Sequence, residues 1–189
     1  MRSNTLAVAA KLTSLAVAMA LLSGCETTNS IPYKASTENV LTIQSKLKEQ
    51  GKQLRLGEIS LAAGVNESPV CRLNGPIRVN PGKTPTQYIQ SAFQEELFMA
   101  GVYSLDSNNI VSGQVTELSF SSVSPASWSI SMQVSSNNSS GYSVTVNYPF
   151  DTSWTAYSAC KNVADAYGPA VQMLIKEVVN NPGFDALIQ

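Results

Sequence analysis

The sequence predicts an α+β domain: a small antiparallel-rich sheet, a meander, with two main helices packed on one face. Three observations carry that expectation. A helix with a complete start signal lies mid-chain, two runs of polar–apolar alternation follow it, and an apolar stripe at helical spacing closes the chain. The connections between these segments are short, so a single domain is expected, without internal repeats.

Residues 36–50 open the fold. Val40, Ile43 and Leu47 fall at helical spacing, and Gly51 supplies a stop. Residues 53–61 read as the first strand, and 70–79 as an extended piece that carries Cys71 and is broken at Gly75-Pro76. At Thr84-Pro85-Thr86-Gln87 a capping Thr precedes a Pro at the first helical position and a Gln at the third. The Thr and Gln side chains can each satisfy a backbone N–H that a helix start leaves unpaired. Ile89, Phe93, Leu97 and Ala100 follow on one face, and Gly101 ends the helix.

The period then changes. Residues 110–120 form a strand with mixed alternation. Trp128, Ile130, Met132 and Val134 alternate with Ser129, Ser131, Gln133 and Ser135, and Tyr142, Val144, Val146, Tyr148 and Phe150 with Ser143, Thr145, Asn147 and Pro149. Successive strand side chains point to opposite faces, so each run has one buried and one wet face. The loop 136–141 joins them as a hairpin. Pro149 cannot donate to a ladder, which puts it at an edge or at the strand's end. The last element is a helix over about 158–180, with Cys160, Val163, Ala164, Tyr167, Val171, Leu174, Ile175 and Val178 in one stripe. Pro169 is expected to kink it, or to split it at Gly168. The order is strand, helix, three-stranded meander, helix.

The N-terminus follows other rules. Arg2 and Lys11 form a short basic region, and residues 12–22 are uncharged and mostly apolar. That core has the length of a secretory h-region and is too short to span a bilayer. Next comes Leu22-Ser23-Gly24-Cys25, which resembles the lipobox of bacterial lipoproteins. The resemblance implies that residues 1–24 are a signal peptide, that the Cys25 sulfur receives a diacylglyceryl group, and that the bond before it is cut. Two or three acyl chains, at roughly 0.8 kcal/mol per buried methylene, make a lasting membrane anchor. By resemblance to enterobacterial sorting, where Asp after the Cys favours the inner membrane, Glu26 points to the outer membrane. Residues 25–36, polar and containing Pro32, are then the lipidated Cys and a tether, and 37–189 a periplasmic domain.

Charge and cysteines fit that placement. The chain has 12 Lys+Arg against 13 Asp+Glu, and losing Arg2 and Lys11 tips it further acidic. No basic run or aromatic-basic interleaving exists, so nucleic acid is not expected as a partner. With Cys25 lipidated, Cys71 and Cys160 remain in an oxidising compartment where thiols pair. A bridge would close a loop of about 90 residues, contributing on the order of 4 kcal/mol in the chain-entropy model. Two buried reduced cysteines are the alternative.

Three stretches also resemble a family: "TPTQYIQSAFQEELFMAGVYS", "IVSGQVTELSF" and "ACKNVADAYGPAVQMLIKEVVNNPGF". With the lipobox, a first strand, the helix ending in Ala100-Gly101, the meander and the long last helix, the chain resembles small outer-membrane lipoproteins of the YajG and ABC-transport auxiliary type. The resemblance covers roughly residues 53–187 and is architectural. It implies a protein that assists envelope machines by docking on a larger partner, and it supplies no catalytic residues. The Cys71/Cys160 pair and the Ser-rich meander depart from that pattern.

The chemistry-bearing groups are sparse. With 0 His there is no Ser-His-Asp or Cys-His arrangement and no ordinary zinc site. Ser45-Lys46 is expected on an exposed helix face. Gly82-Lys83-Thr84 mimics the tail of a phosphate loop, but Ile77 stands where that loop needs Gly and Pro85 removes an N–H, so it reads as a helix cap. Glu95 and Glu96 point about 100° apart on a helix and are expected to be solvated. Asp106, Asn108 and Asn109 make a turn without the Gly and Glu of a calcium loop. Trp128 belongs to a core face, and Trp154, in a loop, is the aromatic free for an interface. No enzyme activity, cofactor or metal is expected. The leading expectation is a lipid-anchored scaffold or accessory subunit with an envelope protein partner. A binding module for a lipid or other apolar ligand, and a structural part of an appendage or secretion channel, stand beside it.

Overall fold

The computed structural model describes residues 27–28 and 31–188. In chain order the elements are β1 (Thr27–Thr28), α1 (Thr37–Ile43) running on into a π turn (Gln44–Lys48), β2 (Arg55–Leu61), β3 (Ile77–Arg78), α2 (Pro85–Ala100), β4 (Ile110–Ser121), β5 (Ser127–Ser136), β6 (Ser139–Pro149), α3 (Ala156–Asn180) and a 3-10 turn (Asp185–Leu187). The main sheet has the order β2-β4-β5-β6. β4, β5 and β6 are the antiparallel meander, and β2 lies parallel to β4, reached through α2 as a parallel pair requires. β1 and β3 form a separate parallel pair, Thr27 facing Ile77. The fold is the expected α+β, with α2 and α3 on the sheet and α1 against both.

Local signals account for the boundaries. The Gln87 amide donates to Thr84 Oγ1 at 3.3 Å, the Gln87 side chain accepts from the Thr84 amide at 3.0 Å, and α2 stops at Gly101 in the left-handed region, φ 74°. α3 starts two residues before the expected position, because the Thr155 hydroxyl caps the Ser158 amide at 3.2 Å. It also passes through Pro169 without a break, so the expected split does not occur. Pro169 is exposed, whereas Tyr167, Gly168, Ala170 and Val171 are buried around it. Tertiary packing of that face outweighs the one hydrogen bond a proline removes.

The mixed alternation at 110–120 has a physical cause. A bulge between Val115 and Glu117 shifts the register against β5, so the inward set runs Val111, Gly113, Val115 and then Leu118. β5 needs no such correction, and Trp128, Ile130, Met132 and Val134 are at most 1% exposed.

The space between sheet and helices is filled. Trp128, Tyr167, Phe93, Leu97, Leu174 and Ile130 are among its largest fully buried side chains. Edge-on ring pairs run from the N-terminal segment to the sheet: Tyr33–Tyr88 (5.8 Å), Tyr88–Tyr167 (5.4 Å), Tyr167–Trp128 (5.0 Å) and Trp128–Phe120 (5.0 Å). The chain from residue 31 onward therefore does not behave as the expected tether. Tyr33 packs on Tyr88, the Gln172 side chain donates to the Lys34 carbonyl, and Ser36 caps α1. A polar composition concealed one large aromatic with a prepared seat.

Candidate functional site

Of the residues singled out in the sequence, Cys25 lies outside the described residues. Cys71 and Cys160 are both fully buried and are joined, S–S 2.06 Å and Cα–Cα 5.8 Å. The bond ties the 69–77 excursion to the first turn of α3.

Glu96 corrects the expectation that both carboxylates are solvated: it is 0% exposed. Tyr33 donates its hydroxyl to Glu96 Oε1 at 2.6 Å and the Ser36 amide donates at 2.9 Å, while Oε2 has no partner. Burial pushes the carboxyl above its usual range, against those two donors. Burial also pushes the Tyr88 hydroxyl up to about 12 and that of Tyr33 further still. The signal was present in the sequence. Position 96 stands three residues after Phe93 and four before Ala100, inside the stripe that faces inward. This cluster fastens the N-terminal segment to α2.

The other candidates have structural employment. Trp128 is core, its indole N–H donating to the Val163 carbonyl at 2.8 Å. Lys46 Nζ donates to the Asn181 carbonyl at 3.5 Å and lies 5.9 Å from the Phe184 ring centre, holding down the C-terminus, while Ser45 is exposed. Gly82-Lys83-Thr84 borders a shallow groove of about 250 Å³ that also presents Glu67, an acidic neighbour unsuited to a phosphate. Asn108 and Asn109 bind the β5–β6 hairpin: the Asn137 side chain donates to the Asn108 carbonyl at 2.9 Å, and Asn138 donates to Asn109 Oδ1 at 2.8 Å. Among the described residues no group of acidic, Cys or His side chains could hold a metal ion, and no helix is long and apolar enough to cross a membrane.

Two surfaces among the described residues stand out beside these contacts. The first is the β6 edge. Phe150 donates its amide to the Ala126 carbonyl at 3.0 Å, and the register pairs Trp128 with Tyr148, Ile130 with Val146 and Met132 with Val144. Hydrogen-bonded pairs alternate with non-bonded ones in an antiparallel ladder. The even-numbered residues of β6 therefore bond β5, and Ser143, Thr145 and Asn147 turn their N–H and C=O groups outward. Their side chains are exposed on the wet face, where Ser131 bonds both Thr145 (2.9 Å) and Glu117 (3.1 Å).

The second is the sheet end that carries the disulfide. Arg72, Val123, Ser124, Thr152, Ser153 and Trp154 line a largely apolar groove of about 450 Å³. Trp154 is fully exposed there. Sequence reading marked Trp154 but not Arg72, whose role depends on three loops meeting.

The described residues thus form an α+β domain with an outward-facing strand edge at β6 and a largely apolar groove at one end of the sheet. No protein-family model matches the chain, and no curated protein matches it. Among solved structures it is similar to the crystal structure of protein XCC0632 from Xanthomonas campestris, of the family DUF330, with 13% identity, a TM-score of 0.46, and coverage of 68% of this chain and 84% of that one.

Proposed function

We propose that this protein is a lipid-anchored, non-enzymatic accessory of the bacterial envelope, held at the outer membrane through Cys25, which recruits a larger protein by extending its sheet along β6. The observation that carries the reading is the outward row of backbone groups at Ser143, Thr145 and Asn147 on a strand of 11 residues whose register is regular from Tyr142 to Pro149. An edge of this kind adds a strand from another chain through main-chain bonds. Three further features support it. Leu22-Ser23-Gly24-Cys25 fits lipid attachment, and the Cys71–Cys160 bond fits an oxidising compartment. The filled space between sheet and helices favours docking at the surface over a ligand held inside. The resemblance to accessory lipoproteins of the YajG and ABC-transport auxiliary type agrees with this role.

Thr145→Pro tests the edge directly. Residue 145 gives no bond to β5, so proline there removes only an outward N–H and the side-chain contact with Ser131, at a cost of about 1–2 kcal/mol. In-cell crosslinking should capture a defined larger protein with the wild type and lose it with Thr145→Pro, while circular dichroism shows both folded. Unchanged capture by the folded variant rejects the edge.

A further inference from the structure

Of the large apolar residues exposed among the described ones, Ile31, Leu41, Phe98, Met99 and Leu105 lie elsewhere, and the rest gather in one place. Val70 and Leu73 lie in the 69–77 excursion, Val123 in the β4–β5 connection, and Trp154 and Tyr157 between β6 and the first turn of α3, all at one end of the sheet. Leu73 and Trp154 are 103% and 101% exposed, as open as in an extended peptide. Their support is rigid. Arg72, in the left-handed region at φ 52°, donates from its guanidinium to the Ser122 carbonyl (2.8 Å), to Ser122 Oγ (3.2 Å) and to the carbonyls of Ser153 and Trp154 (both 3.4 Å). Immediately before it the Cys71–Cys160 bond fixes the excursion to α3. A chain that holds two large apolar side chains in water on a cross-linked platform is presenting them to something.

The position of the N-terminus says to what. β1 begins two residues after Cys25, and it runs parallel to β3 with Thr27 facing Ile77. Its upstream end is therefore on the side of Pro76, which bridges Val70 at the base of the excursion whose tip carries Leu73. Two residues reach at most about 7 Å. A lipid on Cys25 thus has no long tether to swing on, since the chain from residue 31 is already docked, and it holds this end of the domain against the bilayer. Leu and Val suit the acyl boundary, and the amphipathic rings of Trp and Tyr suit the headgroup level.

We infer that this end of the domain is a membrane-contact face, with Leu73 and Trp154 entering the interface of the bilayer that anchors Cys25. The inference rests on the proposed lipidation of Cys25. It turns the hairpin at which β6 starts, at the opposite end of that strand from Trp154, toward the periplasmic space.

Full-length lipidated protein, extracted in detergent and reconstituted into phosphatidylethanolamine–phosphatidylglycerol vesicles with brominated acyl chains, provides the test. Flotation reads the anchor, and tryptophan quenching reads the face. The wild type should float and lose most of its Trp154 emission, whereas Trp154→Phe, which keeps only the buried Trp128, should float with its emission unchanged. Protein that floats with Trp154 unquenched by bromine and open to acrylamide overturns the contact face and leaves the anchor standing. Shielding of Trp154 in native envelopes but not in protein-free vesicles overturns it in favour of a protein partner. Failure to float removes the anchor, and the inference with it.

Discussion

Along β2, one edge of the sheet, the outward amide of Ile59 donates to the Gln90 side chain at 3.3 Å, and Leu54 just before the strand bridges Tyr103. Along β6, the other edge, the outward groups of Ser143, Thr145 and Asn147 face an exposed side of the domain. β2 is also bent: its register against β4 shifts between Leu56 and Ile59, and at Gly57 a Cβ would lie 2.3 Å from Ser112 Oγ. Short length, a bulge and a covering helix are the devices that blunt an edge against stray pairing. β2 has all three, whereas β6 has a bulge only at its hairpin end and pairs in regular register from Tyr142 to Pro149. The openness of β6 is particular to that edge, because on the opposite side the Ile59 amide is taken up by Gln90 and Leu54 is bridged to Tyr103.

The largest loss is expected at the hairpin that sets the register of β6. Gly141 has φ +75°, and a Cβ there would lie 1.7 Å from the Val134 carbonyl oxygen. The obstruction is backbone, opposite the register shift between Val134 and Ser136, and cannot rotate away. Gly141→Ala should cost about 3 kcal/mol or more, the left-handed penalty plus the displacement of a paired strand. Urea melts check this against Gly82→Ala, which has φ +74° but open space around it and should cost only about 1 kcal/mol. Equal losses would show that the hairpin yields and that β6 is not held in one register.

Long elements were legible in the sequence, and short ones were not. Helix α2, the hairpin and α3 each carry a signal repeated over several turns or alternations, and they stand where the spacing put them. The pair β1–β3 is two residues on each strand, too short for any period, and exists because distant segments meet. The edge position of β6 was foreshadowed by Pro149, whereas the closure of β2 depends on Gln90, a polar residue that looks like any other on a helix. Trp154 could be marked from its place in a loop. Arg72 could not, since its four acceptors come from segments 50 and more residues away. Burial of Glu96 follows from its place in the stripe with Phe93 and Ala100, which outweighs its charge.

A smaller effect should come from opening β2. Gln90→Ala removes the acceptor of the Ile59 amide, and Ile59 is only 4% exposed. A buried donor left unpaired costs about 1–2 kcal/mol. The loss should appear as a lower urea midpoint with an unchanged slope, and as faster hydrogen exchange at the Ile59 amide. If β6 is the recruiting edge, crosslinked capture of the partner stays at the wild-type level. Gain of a new self-associated species in the variant would show that Gln90 guards β2 against pairing.

The smallest expected change separates backbone from side chain on β6. Thr145→Val keeps the β-branched shape and every outward backbone group, and it deletes the hydroxyl that bonds Ser131 at 2.9 Å. That bond is exposed on the wet face, so stability should move by no more than about 0.5 kcal/mol. Sheet extension uses main-chain N–H and C=O groups, and these are the same in the two residues. Capture by Thr145→Val should therefore match the wild type, while Thr145→Pro loses it. A valine variant that folds normally yet fails to capture would assign recognition to the polar face of Ser131, Thr145 and Glu117. The open backbone of β6 would then be incidental to binding, and its contrast with β2 would reflect packing alone.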